Sequence, residues 1–389
     1  MNCANHSLLL LAFLSLILAA SAAAVPRENL FSTRSFDNEA VRRSPVVHAD
    51  NRVSFLFHAP GAREVTAIVG EWDNQKLPLT KDSDGWWSGT LGPVATGLHT
   101  YVFSVDGTPV IDPLNPHLKV GTVVYGSVVE VSGNPPRFDA LQEVPQGALH
   151  KLRFRSSAQN RFQTLHVHLP AAYALQSDRV FPVLYLRHGG GDDDRSWMQD
   201  GRAGEILENL LAAGKAEPMI IVTTNGMTDG TWSHASSAEG MSLLEEELMQ
   251  DVIPLIERSY RVSKNRNHRA LAGLSMGGGQ AFVIGLRQLE SFSWIAQFSS
   301  GLLADRELKL IELSPALRNA EKVNAALHLL WLGCGQSDSR YNGHLNLLDE
   351  LHSLGVRAEF HPSEGGHEWS VWRDQLHRLL PVLFREEKG

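Results

Sequence analysis

The chain of 389 residues exceeds the usual single-domain size of roughly 100 to 200 residues, so two domains with a sizeable core are expected. It is 43% hydrophobic and 20% charged, which is ordinary for a globular protein. The net charge of -8, with no concentrated Lys/Arg face, removes the usual electrostatic basis for binding nucleic acid.

Residues 1–24 are expected to be a secretory signal. The text "MNCANHSLLLLAFLSLILAASAAAVP" is apolar from Leu8 to Ala20 and then turns to small residues, with cleavage fitting after Ala22 or Ala24. Its n-region lacks Lys and Arg, and an uncleaved anchor is the alternative, although the apolar run is shorter than the about 20 residues of a membrane span. A secreted or periplasmic protein follows, with no membrane contact beyond export. Cys3 would leave with the signal, and Cys334, left alone, forms no internal disulfide.

From about residue 45 to 133 the text is a series of short alternating runs, such as "VSFLFHAP", "EVTAIVG" and "LHTYVFSVDG", broken by Gly, Pro and Asp. This spacing predicts a small all-β antiparallel sandwich. Residues 134–147 read as a Pro-containing linker. From 148 to 386 the pattern changes to a hairpin followed by buried-type strands, "FPVLYLRHG", "PMIIVTTNG", "HRALAGLS" and "LHLLWLGCG", alternating with helical segments. The expected fold class there is α/β, a mostly parallel sheet flanked by helices, with its ligand site at the carboxyl ends of the strands.

Each candidate site residue falls at such a strand end. "LAGLSMGGGQA" puts Gly273-x-Ser275-x-Gly277 between a strand and a helix, the context of a nucleophile elbow, in which small neighbours allow a sharp turn. The Met276 amide would then be free at a helix N-terminus to hold an oxyanion, paired with the Gly190 amide of "YLRHGGGDDDRSW". Downstream, "GCGQSD" supplies Asp338 and "GGHEWSVW" supplies His367, 63 and 92 residues past the serine, in the order Ser, Asp, His. His367 would take the serine proton and Asp338 would fix the imidazole.

At these residues the chain resembles carbohydrate esterase family 1, the feruloyl and acetylxylan esterases of the esterase D group of α/β-hydrolases. The motifs "FPVLYLRHGGG", "LAGLSMGGGQA", "GCGQSD" and "GGHEWSVW" carry the likeness, spread over most of residues 147 to 385. By that resemblance Ser275, Asp338 and His367 fall on the family's triad, and Met276 and Gly190 on its oxyanion positions. The stretch "VGEWDNQKLPLTKDSDGWWSGTLGPVATGLHTYVFSVDGTPVIDPLNP" is similar to an early-set Ig-like module of carbohydrate-binding family 48 type. Trp72, Trp86, Trp87 and Tyr101 are then candidates for stacking on sugars, against the alternative that strand alternation buries them in the sandwich. The module could equally cover the esterase or shape its entrance.

Other features have plainer readings. Trp372 and Trp197 are the candidate substrate-binding aromatics, and Trp369 flanks the histidine. The run Asp192-Asp193-Asp194 is read as a solvated loop, or as a charge that disfavours anionic substrates. "LLEEELMQ" is read as a solvated helix face and Cys334 as a small buried residue. His166 and His168 share a strand face but have no neighbouring metal-ligand spacing, and no metal or organic cofactor is expected.

The expected activity is hydrolysis of acyl esters, most simply ferulate or a related hydroxycinnamate, from plant cell-wall xylan or its acylated oligosaccharides. Acetylxylan esterase, an enterochelin-type siderophore esterase, a mycolyl-type acyl transferase and a non-catalytic carbohydrate-binding protein on the same scaffold are the alternatives. The sequence leaves the oligomeric state open.

Overall fold

The eight-residue text "RVSFLFHA" already explains one layer of the N-terminal region: in the strand Val53–His58 the side chains of Val53, Phe55 and Phe57 are buried while those between them face outward. The computed structural model describes residues 42–70, 74–133, 135–300 and 310–385. The expected signal segment and Trp72 lie outside them.

Two antiparallel sheets face each other across these alternating side chains. One orders the strands Val46–Val47, Val53–His58, Trp86–Leu91 and Thr80–Lys81; the other orders Gln75–Pro78, Val65–Val69, Gly97–Val105, Val124–Val131 and Leu118–Val120. Aromatic pairs fill the space between them, Phe55 with Tyr101 at 5.0 Å and Phe57 with Phe103 at 4.7 Å between ring centroids. Trp87 and Tyr101 belong to this core, and the Tyr101 hydroxyl donates to Asp112 at 2.7 Å. Neither presents a flat face to a sugar, so for both the burial reading holds and the stacking one does not. Trp86 is half-buried against the His58 ring.

The second layer system is an eight-stranded sheet, its strands numbered in chain order: β1 (Ala148–Ser156), β2 (Arg161–Leu169), β3 (Val183–Arg187), β4 (Ile220–Thr224), β5 (Arg269–Leu274), β6 (Trp294–Phe298), β7 (Leu329–Gly335) and β8 (Glu359–Ser363). Their order in space is β1-β2-β4-β3-β5-β6-β7-β8. The β1/β2 hairpin and the β2/β4 pair are antiparallel, and every later pair is parallel. Every residue of β3 to β7 is buried, as a parallel sheet covered by helices on both faces requires. This is the α/β-hydrolase sheet. The strand β6 is absent from the sequence reading, because Gln297 interrupts its short apolar run; that glutamine is nonetheless fully buried.

Four helices position the site and its surroundings: α1 (Ala203–Ala212), α2 (Ser275–Arg287), α3 (Tyr341–Ser353) and α4 (Trp369–Leu379). The helical segment that carries "LLEEELMQ" comprises Ala238–Glu247 and Ile253–Ser259 joined by a π-turn, Leu248–Val252. Pro254 in the first turn of the last part has no amide to donate, and the wider turn accommodates that loss. Glu247, on the face read as solvated, is 1% exposed and accepts from Gln159 at 2.7 Å.

The acidic run also departs from its reading. Asp192 and Asp194 are buried, Asp192 against Lys119 and Asp194 against His166 and Thr164; Asp193 pairs with Arg195. His168 likewise bonds to Glu208 at 2.9 Å. Both strand histidines therefore have carboxylate partners.

The sandwich and the large sheet meet through buried charges. From α4 the Arg373 guanidinium, 1% exposed, reaches Asp139 at 2.9 Å, Glu130 at 3.2 Å and the Asp200 carbonyl at 2.7 Å. Removing one partner of such a set leaves the others desolvated and unpaired. Arg373→Ala is expected to cost about 3–5 kcal/mol, read as a lower urea midpoint. The double variant Arg373→Ala/Asp139→Ala should recover part of that loss, since the stranded carboxylate is gone.

Candidate active site

Ser275 follows β5 and opens α2 with φ +49°, a left-handed backbone that a non-glycine residue seldom adopts. Strain of this kind costs about 1–3 kcal/mol and persists only where the surroundings enforce it. Two glycines permit the turn. A Cβ at Gly273 would lie 2.4 Å from the Gly277 carbonyl oxygen, and one at Gly277 would lie 2.3 Å from the His188 carbonyl oxygen.

The side chains of Ser275, His367 and Asp338 meet in a line. Ser275 Oγ lies 3.0 Å from His367 Nε2, and His367 Nδ1 lies 2.8 Å from Asp338 Oδ2. With Nδ1–H donating to the carboxylate, Nε2 is left as the acceptor facing the serine hydroxyl. The loops after β7 and β8 that carry Asp338 and His367 are tied to each other, Ser337 N–H donating to the Gly365 carbonyl at 2.8 Å. A Cβ at Gly335 would come within 2.5 Å of that same oxygen, so the glycine of "GCGQSD" is a close-approach residue.

The Asp338 side chain is fully buried. Burial alone would raise its carboxyl, but hydrogen bonds from His367 and the Arg340 amide outweigh this and hold it below its ordinary value. The Arg340 guanidinium stands 3.9 Å from Asp338 Oδ1 and 3.2 Å from His367 Nδ1, adding positive charge beside the acid. Four residues before Asp338, Cys334 is buried, and burial together with the Asp338 charge pushes its thiol up to about 12. It stays protonated and is no competing nucleophile.

The glycine loop after β3 lies against the serine, a Cβ at Gly189 falling 3.3 Å from Ser275 Cβ. The Met276 amide sits in the first turn of α2, where an N–H has no acceptor within the helix. His188, read only as a neighbour of the glycines, anchors this loop. Its Nε2 accepts from the Gly226 amide at 2.8 Å, which leaves Nδ1–H to donate to the Gly189 carbonyl at 2.8 Å. The Gly189–Gly190 peptide plane, which carries the Gly190 amide, is thereby fixed.

A cavity of about 610 Å³ opens on Ser275 and His367 and is walled by Trp369, Trp372 and, from the sandwich, Lys119 and Tyr125. Trp372 stands edge-to-face on the His367 ring at 5.0 Å. Trp197 does not line it. That indole is 1% exposed, packs on Trp369 and Phe298, and donates its N–H to the Arg187 carbonyl at 2.8 Å, so its expected role in substrate binding is replaced by one in the core. Sequence reasoning also passed over Trp232, an exposed indole whose Cβ lies 3.2 Å from the position of a Cβ on Gly190, and the sandwich residues of the wall. None of these has a motif of its own.

The profile of the family described as "Putative esterase" matches residues 156–383, which takes in β2 to β8 and all three residues of the hydrogen-bonded line. The chain belongs to this esterase family. Among its relatives is an endo-1,4-beta-xylanase/feruloyl esterase of Xylanibacter ruminicola, 30% identical over 354 residues, which cover 90% of this chain and 47% of that protein. The chain thus spans about half the length of that relative. A solved ferulic acid esterase is 26% identical with a TM-score of 0.52, covering 62% of this chain and 98% of its own. The enterobactin esterase of Shigella flexneri shares the fold at 18% identity and a TM-score of 0.62, over 86% of this chain and 93% of its own.

The Asp338 carboxyl lies lower in the folded protein than in an unfolded chain, so its ionised form stabilises the fold above about pH 4 and that contribution is lost as pH falls through the folded value. If the line acts as a Ser-His-Asp triad, Asp338→Asn is expected to lower kcat on an ester about 10⁴-fold, through the wrong imidazole tautomer. Followed by circular dichroism, the variant should also lose less stability than the parent as pH falls below about 4.

Proposed function

We propose that the protein is an exported serine esterase that removes ferulate or a related hydroxycinnamate from plant cell-wall xylan or its acylated oligosaccharides. The observation that carries this reading is the continuous line Ser275 Oγ, His367 Nε2, His367 Nδ1, Asp338 Oδ2 opening on an aromatic-walled cavity. The names of the Xylanibacter relative and of the ferulic acid esterase support the acyl group, and indole walls suit a planar aromatic acid better than an acetyl group. The apolar run of residues 8–20 supports export.

In this mechanism His367 Nε2 takes the Ser275 proton as Oγ attacks the ester carbonyl carbon. The oxyanion is held by the Met276 and Gly190 amides, and the imidazolium, steadied by Asp338, then protonates the departing sugar oxygen. Water attacks the acyl-enzyme by the same route and releases the acid. The reaction needs no metal or organic cofactor.

The N-terminal region, residues 45–133, is proposed as an early-set Ig-like module of carbohydrate-binding family 48 type joined by the linker 134–147 to the esterase region 148–386. With Trp87 and Tyr101 in its core, the described candidates for polysaccharide contact are the half-buried Trp86 and the exposed residues of the cavity wall.

Ser275→Ala is expected to lower turnover of methyl ferulate on the order of 10⁶-fold with an unchanged thermal midpoint; full turnover by that variant would refute the mechanism. Release of acid from methyl ferulate and from acetylated xylan, assayed side by side, tests the substrate. Activity on acetyl groups alone would replace the feruloyl reading with the acetylxylan one.

A further inference from the structure

We propose that the hairpin Leu118–Val131 of the N-terminal sandwich is the outer clamp of the oxyanion loop, so that this region sets the rate of the chemical step for every ester rather than only the affinity for a polysaccharide. The inference rests on the reading of Ser275 as nucleophile and of the Gly190 amide as oxyanion donor.

Three consecutive glycines, Gly189 to Gly191, form a loop with no side chains of its own to hold it, and glycine loses more conformational freedom on ordering than any other residue. An amide donor is effective only if it is aimed before the reaction begins. His188 fixes the inner side of the loop through its bonds to Gly226 and Gly189. The outer side is held by the hairpin. The Gly191 carbonyl accepts from the Thr122 amide at 2.8 Å, from the Tyr125 hydroxyl at 3.1 Å and from the Thr122 hydroxyl at 3.2 Å. The next residue, Asp192, is bound by Lys119 Nζ at 2.6 Å, and the same ammonium reaches Asp200 at 2.7 Å.

These contacts bracket the donor. The peptide plane before Gly190 is set by His188 and the plane after Gly191 by Thr122 and Tyr125, so the Gly190–Gly191 unit between them has little freedom left. The approach is backbone to backbone. A Cβ on Gly121 would fall 2.1 Å from the Gly191 carbonyl oxygen, and only glycine lets the hairpin come this close. Lys119 is 5% exposed, and its ammonium lies 5.1 Å from the centre of the Trp369 ring, on the wall of the reaction cavity.

The test uses the full chain with p-nitrophenyl acetate, a small ester that engages the serine and the oxyanion site with no sugar. Gly121→Ala forces the hairpin off Gly191, and Thr122→Ala/Tyr125→Phe removes two of its three donors while changing exposed groups. In both, kcat is expected to fall about tenfold or more, up to the 10²–10³-fold that loss of a whole oxyanion donor costs, with KM within about twofold. Affinity for a trifluoromethyl ketone, which forms the tetrahedral adduct, should fall in parallel with kcat/KM. Unchanged kcat in a variant whose thermal midpoint shows it folded would overturn the clamp, as would a rise in KM alone. If Gly121→Ala does not fold, the double variant decides by the same two readings. A wild-type protein that hydrolyses no ester would overturn the esterase reading and the clamp together, whereas an active wild type with unaltered variants overturns the clamp alone.

Discussion

The left-handed turn at Ser275 is the constraint on which the site depends. It aims one hydroxyl out of the carboxyl edge of the sheet and holds the first amides of α2 beside it, and it exists only because Gly273, Gly277 and the backbone of β3 can approach within contact of each other. Burial of β5 on both faces supplies the rigidity that keeps such a backbone from relaxing. The remaining parts follow from the parallel sheet. Because β3, β5, β7 and β8 run in the same direction, their carboxyl ends bring the glycine loop, the serine, the aspartate and the histidine to one edge.

Around that edge the molecule places charges where they are shielded from water. Lys119 with Asp192 and Asp200, and Arg373 of α4 with Glu130 and Asp139, join the sandwich and the linker after it to the α/β region. Buried pairs contribute little net stability compared with apolar contacts, but they fail severely when mispaired, so they specify one mutual arrangement of the two layer systems. A catalytic edge that borrows a wall from another layer system needs such a device. The cavity has no Lys119 or Tyr125 wall unless the sandwich docks in register.

Much of this was legible in the residues. The hairpin, four buried strands and the alternating sandwich runs could be read because strand periodicity is a local property, and the serine, aspartate and histidine because glycine-flanked strand ends mark the active edge of a parallel sheet. Strand β6 escaped notice because a single buried glutamine breaks its apolar run. Trp197 was misplaced for a related reason: an indole just after the glycine loop looks like a substrate contact, and nothing in its neighbours reveals that the Arg187 carbonyl takes its N–H inside the core. The aspartates at 192 and 194 read as solvated because their partners, Lys119 and His166, are distant in the chain.

By itself the sequence determined the alternation of strands and helices, the glycine-flanked serine at a strand end and the chain order of Ser275, Asp338 and His367, since periodicity and residue order are properties of the chain itself. Only the tertiary structure decided which side chains wall the cavity, what enforces the turn at Ser275 and what holds the glycine loop 189–191. The wall and the loop depend on Lys119 meeting Asp192 and Asp200 across 73 and 81 residues of chain, and on Gly121 touching Gly191. Contacts of that kind arise from the packing of two surfaces and the desolvation of their charges, and neither leaves a periodic trace in the order of amino acids.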